Sequence, residues 1–225
     1  MGLALTRTAP GYRFLVGKPR QSLSRQAYGE LGSKFCILAL FSSMSVRIAQ
    51  NTAQTGHVTG LLLLASEALV VALTLFRRSA GTVDRTWMAR ILTVFSTFGP
   101  PLVRPEPVTP WAPELLTIAI SAIGLMVVVA GKLSLGRSFG LTPANRGVVC
   151  TGLYRFLRHP IYLGYLITHV GFVISSPGDW NLGVLALADL ALMLRAIREE
   201  RTLAQDDAYR AYMERVRWRI VPGLF

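Results

Sequence analysis

Acidic residues are scarce in this 225-residue chain: 12 Asp+Glu stand against 24 Lys+Arg, a formal net charge of +12, and all charged residues together make up only 16%. A soluble domain of ordinary composition has about a quarter of its residues charged. That shortage, set beside an apolar content of 52%, places an integral membrane protein ahead of any soluble class. Cysteine is nearly absent as well. Cys36 and Cys150, the two present, exclude a disulfide framework and lack the spacing of a metal or redox motif, so both read as free thiols and no metal is expected. No apolar run occurs before Lys34, which makes a cleaved signal peptide a poor match and leaves the first apolar segment as a retained helix. Internal repeats, low-complexity tracts and a polar block large enough for a separate soluble core are also missing, so one domain is expected over residues 1–225.

What the chain has instead is a series of six apolar segments: Phe35 to Ala49, His57 to Phe76, Met88 to Val103, Ala112 to Leu135, Ile161 to Ser176 and Trp180 to Ala196. A bilayer-crossing helix takes roughly 20 such residues, so the third, interrupted by Gly99-Pro100-Pro101, and the fifth are short. The basic residues fall between segments rather than in a stripe interleaved with exposed aromatics, which argues against nucleic acid and for one face of a bilayer. Arg7, Arg13, Lys18, Arg20, Arg25 and Lys34 precede the first segment, whereas Gln50 to Gly56 carries no basic residue. Arg77, Arg78, Arg85 and Arg90 come next, then a loop in which Glu106 and Glu114 balance Arg104. Arg137, Arg146, Arg155 and Arg158 follow, then the turn Ser176-Pro177-Gly178-Asp179 with no basic residue, then a strongly basic tail.

This alternation predicts an all-α, polytopic integral membrane helical bundle of about six transmembrane segments with both termini cytoplasmic. Residues 1–34 would form a basic N-terminal segment, 35–135 four helices, and 136–225 the region that carries the chemistry. The tail from Arg198 to Val216 is too polar to span and reads as a cytoplasmic or interfacial helix ending before Pro222-Gly223. The short turn at Pro177-Gly178-Asp179 forces the last two segments into an antiparallel hairpin. Their inner ends, around His159 and around Arg195 to Glu200, are thereby expected to share one pocket.

Ionisable groups within a bilayer cost about 2.5–3.5 kcal/mol each on insertion scales, so each needs an account. Arg47 and Lys132 lie near segment ends and are expected to snorkel to the interface. Glu67, His169 and Asp189 lie deeper and are expected to bond neighbouring helices or to line a pocket. The run from Gly152 to Gly164 differs in kind, because it gathers titratable, aromatic and helix-breaking residues where a helix enters the membrane. Pro160 suits the first helical turn, whose unpaired N–H groups and positive dipole end favour an electron-rich ligand group. His159 and Tyr162 stand at that mouth. An interfacial belt of Arg and Tyr anchors is the plainer reading of the same residues. Arg195 and Glu199, four apart, point to one helix face.

At these positions the chain resembles the isoprenylcysteine carboxyl methyltransferase family, which includes membrane phospholipid and thiol methyltransferases. The matching signatures are Thr151-Gly152-Leu153-Tyr154 leading into Arg158-His159-Pro160-Ile161-Tyr162-Leu163-Gly164, then Arg195 with Glu199-Glu200 and Leu203, then Tyr209, Tyr212, Val216 and Pro222. Where the family pattern usually has Pro after the glycine, this chain has Leu153. The resemblance covers roughly Leu133 to Phe225 and implies methyl transfer from S-adenosylmethionine, held in a cytoplasm-facing pocket, to a lipophilic or prenylated acceptor arriving from the membrane lipid. Carried over by position, Arg146, Gly147, Val148 and Val149 in a strand-like segment, with Tyr154, His159, Pro160, Ile161, Tyr162 and Glu200, would hold the cofactor. Glu199 would contact its charged end, and Arg195 would face the acceptor, these two being the catalytic candidates. Membrane sterol reductases using NADPH share an Arg-His-Pro-x-Tyr-x-Gly segment but typically continue Asn-Tyr-Phe-Gly-Glu after the Pro, unlike Ile161-Tyr162-Leu163-Gly164-Tyr165. A non-enzymatic scaffold or transporter built on Glu67, His169 and Asp189 is the remaining alternative.

Overall fold

The computed structural model describes residues 20–75, 86–135 and 148–225. Among them every regular element is helical: α1 (Arg20–Thr55), α2 (Thr59–Leu75), α3 (Trp87–Phe98), α4 (Glu114–Leu135), α5 (Pro160–Ser175), α6 (Asp179–Leu203) and α7 (Asp207–Arg215), with 3₁₀ turns at Pro100–Leu102 and Gly152–Arg155. The chain divides into two compact units, Met1–Phe35 and Cys36–Phe225. The first contributes the opening stretch of α1 from Arg20; everything below concerns the second. Each of the six apolar segments coincides with a helix, and two helices, Glu114–Leu135 and Asp179–Leu203, are long and apolar enough to cross a membrane. Shorter apolar helices cover Thr59–Leu69 and Pro160–Ser175.

Burial along α4 runs opposite to that of a helix in a water-soluble core. Its covered positions are Thr117, Ser121, Gly124, Val128, Gly131 and Lys132, while Leu115, Ile123, Met126 and Leu133 face outward. Small and polar residues inside with large aliphatic ones outside is the arrangement expected when lipid is the solvent, because backbones must approach closely for dispersion to hold them. The partner is α5, whose Gly164 and Gly171 face the same stripe. A Cβ on Gly164 would lie 2.6 Å from Val128 Cγ2 and 2.8 Å from both the Gly124 carbonyl oxygen and the Val128 amide nitrogen. Two of those three contacts are backbone and cannot give way. Gly164→Ala is therefore expected to destabilise the α4–α5 pair by about 1–3 kcal/mol, read as a lower melting temperature in detergent; an unchanged Tm would show that the helices can slide apart at little cost.

On the other side α3 packs on α6, with Gly99 seated against Ala188. At the end opposite the α5 N-terminus, Asn181 ties the connections together, accepting from the Arg104 amide (3.0 Å) and donating to the Arg104 carbonyl (2.7 Å) and the Ser176 carbonyl (3.2 Å). The turn from Ser176 to Gly178 joins α5 to α6 as the sequence predicts.

One expectation needs correction here. The tail is not one helix from Arg198 to Val216: α6 runs on to Leu203, and α7 starts afresh because Asp206 caps it, its carboxylate accepting from the Ala208 amide at 2.8 Å. Arg47 Nη2 donates to the carbonyls of Pro101 (2.8 Å) and Val103 (3.1 Å) and so satisfies the turn left by Gly99-Pro100-Pro101.

Candidate active site

The site forms at the end of the bundle where α5 begins and α6 finishes. Its lead-in turn opens at Gly152, whose φ of +60° suits glycine, and whose missing Cβ leaves space for the Ser134 side chain. From there the backbone extends through Leu157 to His159 and is gripped by the C-terminal tail. Leu157 and Trp218 form an isolated parallel bridge, the Arg158 amide donates to the Trp218 carbonyl (2.9 Å), and the His159 amide donates to the Arg219 carbonyl (2.7 Å). Pro160, which has no N–H to lose, then starts α5.

Glu200, carried there by the last turns of α6, is buried and bordered by two guanidiniums and an imidazole. Its Oε2 lies 2.7 Å from Arg219 Nε and 3.2 Å from Arg158 Nη1, while Oε1 lies 3.2 Å from His159 Nε2. One carboxylate thus joins α6, the α5 N-terminus and the tail, a closed charge network in place of an isolated buried charge. The two polar clusters, about forty residues apart in sequence, do meet.

Its neighbour Glu199 is held differently. Tyr162 Oη donates to Glu199 Oε2 at 2.8 Å, and the Tyr162 ring stacks on the His159 imidazole with centroids 5.1 Å apart and planes 14° from parallel. Over the Tyr162 ring, at 5.8 Å, sits the guanidinium of Arg195, whose Nη1 also donates to Ser96 Oγ on α3 at 3.4 Å. Arg195 is only 6% exposed. Buried cation, aromatic face and carboxylate are therefore stacked across α6, α5 and α6 again within one helical turn.

The wall behind them is aromatic. Tyr209, Tyr212 and Val216 cluster with Val148, Cys150, Leu203 and Met213, and Tyr212 Oη donates to the Tyr154 carbonyl at 2.7 Å and the Leu157 carbonyl at 3.3 Å. Burial, with the nearby carboxylates adding to it at Tyr154 and Tyr209, pushes the hydroxyls of Tyr154, Tyr209 and Tyr212 far above the usual tyrosine range. They act as neutral donors at any physiological pH. Tyr212→Phe leaves two buried carbonyls short of a donor and is expected to cost about 1–3 kcal/mol, measurable as a drop in Tm; no drop would mean that water replaces the hydroxyl.

Of the residues expected to hold a cofactor, Tyr154, His159, Pro160, Ile161, Tyr162, Glu199 and Glu200 are gathered here. Val148 reaches the same wall, and neither it nor Val149 lies in regular strand structure. Arg146 and Gly147 lie outside the described residues. Three contributors escaped the sequence reading: Ser96, Arg219 and the pairing of Trp218 with Leu157. None sits in a periodic or titratable pattern that would mark it. Lys132 is a further correction, for it turns inward instead of snorkelling: it is 7% exposed, with its ammonium 5.4 Å from the Tyr165 ring centroid. Deeper in the bundle His169 stands between two carboxylates, Asp189 Oδ1 at 2.6 Å from Nδ1 and Glu67 Oε1 at 3.8 Å from Nε2, linking α2, α5 and α6. No group of His, Cys, Asp and Glu among the described residues is arranged to hold a metal ion.

The described residues thus form a helical bundle with two apolar helices of spanning length and this polar constellation at one end. Residues 114–209 match the family model of the phospholipid methyltransferases, a family of the isoprenylcysteine carboxyl methyltransferase type, and so bear out the resemblance read from the sequence. The match takes in α4, α5, α6 and the start of α7, while Ser96, Tyr212 and the tail residues Trp218 and Arg219 lie outside it. A search of curated proteins finds no match.

Proposed function

We propose that this chain transfers a methyl group from S-adenosylmethionine to a lipophilic acceptor, and that the acceptor is a carboxylate such as that of a prenylated cysteine or a similar amphiphile. The observation that supports this most is the guanidinium of Arg195 over the Tyr162 ring with the Tyr162 hydroxyl bonded to Glu199, which brings an anion-binding group and a cation-binding group to one ring. The residues fit the cofactor's chemistry: Glu199 would pair with its ammonium end, the stacked His159 and Tyr162 rings and Tyr154 would flank its flat base, and Val148 and Val149 would offer backbone beside it. Arg146 and Gly147 are proposed for the same role. Glu200, engaged with Arg158, His159 and Arg219, would act by fixing His159.

When bound, S-adenosylmethionine supplies a methyl group already activated on a sulfonium. A carboxylate acceptor is already nucleophilic, so no residue of the chain has to remove a proton. The chain's work is alignment: Arg195 would present its planar fork to the carboxylate, the Tyr162–Glu199 bond would hold the opposite wall, and the tail gripping Leu157 to His159 would keep water out. The loop charges support a site facing the cytoplasm, both termini on that side and six crossings.

Calorimetry in detergent with S-adenosylhomocysteine and with NADPH, followed by labelled-methyl transfer to a panel of prenylated cysteines, phospholipids, fatty acids and small thiols, tests the proposal. Binding of the first nucleoside and not the second is expected; the reverse would assign a reductase. Glu199→Gln is expected to weaken S-adenosylhomocysteine binding about ten- to hundredfold, the loss of one charge-assisted contact. Unchanged affinity would remove Glu199 from the cofactor site.

A further inference from the structure

We infer that the exposed corner formed by Arg155-Phe156 and Arg217-Trp218 is a docking surface for an anionic lipid leaflet, and that lipid bound there tightens the proposed cofactor pocket. This rests on the membrane methyltransferase reading above and adds a headgroup requirement to it.

The corner's level in the bundle is fixed by its neighbours. Gly152, which opens the lead-in turn, is seated against Ser134 in the last turn of α4, a helix of spanning length, and Pro160 begins the apolar helix α5. Arg155 and Phe156 thus lie where α4 leaves the apolar layer and α5 enters it. Phe156 is 56% and Trp218 42% exposed, at the height where aromatic rings gather in membrane proteins. The Arg155 guanidinium lies 4.5 Å over the Phe156 ring, so a charge and an apolar face are presented together. The tail supplies the matching half: Trp218 pairs with Leu157, and Arg158 Nη2 donates to the Arg217 carbonyl at 3.0 Å. Arg155, Arg215 and Arg217 are all exposed on these two stretches. Of the nearby acids, Glu214 is exposed beside them, Asp207 pairs with Arg210, and Glu200 is taken up by Arg158, His159 and Arg219. Arginines next to exposed rings at a membrane boundary suit lipid phosphates, the guanidiniums reaching the headgroups while the rings fill the space between them. The depth of the rings favours a leaflet over a soluble polyanion.

The same pairing holds the site. The Arg158 amide donates to the Trp218 carbonyl at 2.9 Å and the His159 amide to the Arg219 carbonyl at 2.7 Å, and Arg219 reaches Glu200. A leaflet that draws Arg217 and Trp218 onto its surface therefore favours the paired tail over a detached one, and with it the placement of His159. The shift is bounded by the leaflet's preference for the paired state. Each arginine brought to an anionic surface contributes a factor of about five.

The test places the full chain in nanodiscs of phosphatidylcholine alone and of phosphatidylcholine with phosphatidylglycerol. Hydrogen–deuterium exchange of the amides at residues 157–159 is expected to be about five- to twentyfold slower in the anionic discs, and S-adenosylhomocysteine to bind tighter there by a similar factor. High salt should shrink both differences. Arg155→Gln combined with Arg217→Gln is expected to abolish them while keeping the wild-type Tm in detergent, since both side chains are exposed. Equal exchange of the wild-type protein in the two discs overturns the inference, as does a lipid-dependent difference that survives in the double variant. Protection reproduced in phosphatidylcholine discs by inorganic phosphate also overturns it, because the corner would then be a site for a free anion. If the wild-type protein binds no S-adenosylhomocysteine in either disc, the methyltransferase reading falls by itself, and the exchange difference still decides whether the corner is a lipid surface.

Discussion

Arg195→Ala is expected to lower kcat/KM for a carboxylate acceptor by about a hundredfold or more while leaving S-adenosylhomocysteine affinity within a few fold. The size follows from what the side chain does. A near-attack geometry lost by about 1 Å can cost a factor on the order of a hundred, and the guanidinium is a buried group over the Tyr162 ring, whose hydroxyl is bonded to Glu199. Arg195→Lys is expected to recover little, because an ammonium cannot reproduce two parallel N–H bonds from a planar fork. Ser96 offers a check on the same geometry: Ser96→Ala removes the hydroxyl that accepts from Arg195 Nη1 and should raise acceptor KM more than it lowers kcat. Steady-state kinetics with labelled methyl donor, run beside calorimetry on each variant, separates these outcomes. If Arg195→Ala retains both turnover and acceptor affinity, the acceptor role assigned to Arg195 is wrong.

The largest stability effect is expected at Glu200. Removing its carboxylate leaves Arg158, Arg219 and the His159 ring converging on a buried space that nothing neutralises. Breaking a buried ion network from one side costs about 3–5 kcal/mol, more than the network's own net worth, because the surviving charges stay desolvated. Glu200→Ala should therefore unfold at clearly lower temperature than wild type, whereas Glu199→Gln, which changes one hydrogen bond and leaves the network closed, should not. A second consequence distinguishes this from simple destabilisation. With Glu200 gone, the tail loses its Arg219 anchor beside His159, so limited proteolysis should cut between Val216 and Phe225 faster in the variant. Equal Tm values for wild type and Glu200→Ala would show that Arg158 and Arg219 disperse into solvent and that the network is not structural.

Hydropathy made the six apolar helices legible, and Pro177-Gly178 made the hairpin legible, because both are set by local chemistry: apolar length and a turn that cannot continue a helix. The meeting of His159 with Glu200 followed from those two facts alone. Helix ends were less readable. α6 continues past Ala196 through Arg198, Glu199 and Glu200 to Leu203, since charged residues are good helix formers and polarity marks the membrane boundary without ending the helix. The polar start of α1 at Arg20 was invisible for the same reason. Ser96, Arg219 and Trp218 were not legible because their roles depend on long-range pairing, which leaves no period in the sequence. Lys132 was misread because position near a helix end says how far a lysine can reach but not which way it turns. Resemblance supplied the identity of the cofactor candidates, and the residues on their own left an interfacial belt of anchors as the alternative.

The uneven packing of α5 has a dynamic consequence. Glycines seat it closely on α4, and α6 is seated on α3, but α5 and α6 touch far less along their length and are joined mainly by polar pairs at His169–Asp189, Tyr162–Glu199 and His159–Glu200. Breathing of the bundle should then part these two helices before it parts either from its tighter neighbour. In hydrogen–deuterium exchange, amides along the α4–α5 contact are expected to be the last to exchange, so an amphiphile in the bilayer would find its opening between α5 and α6.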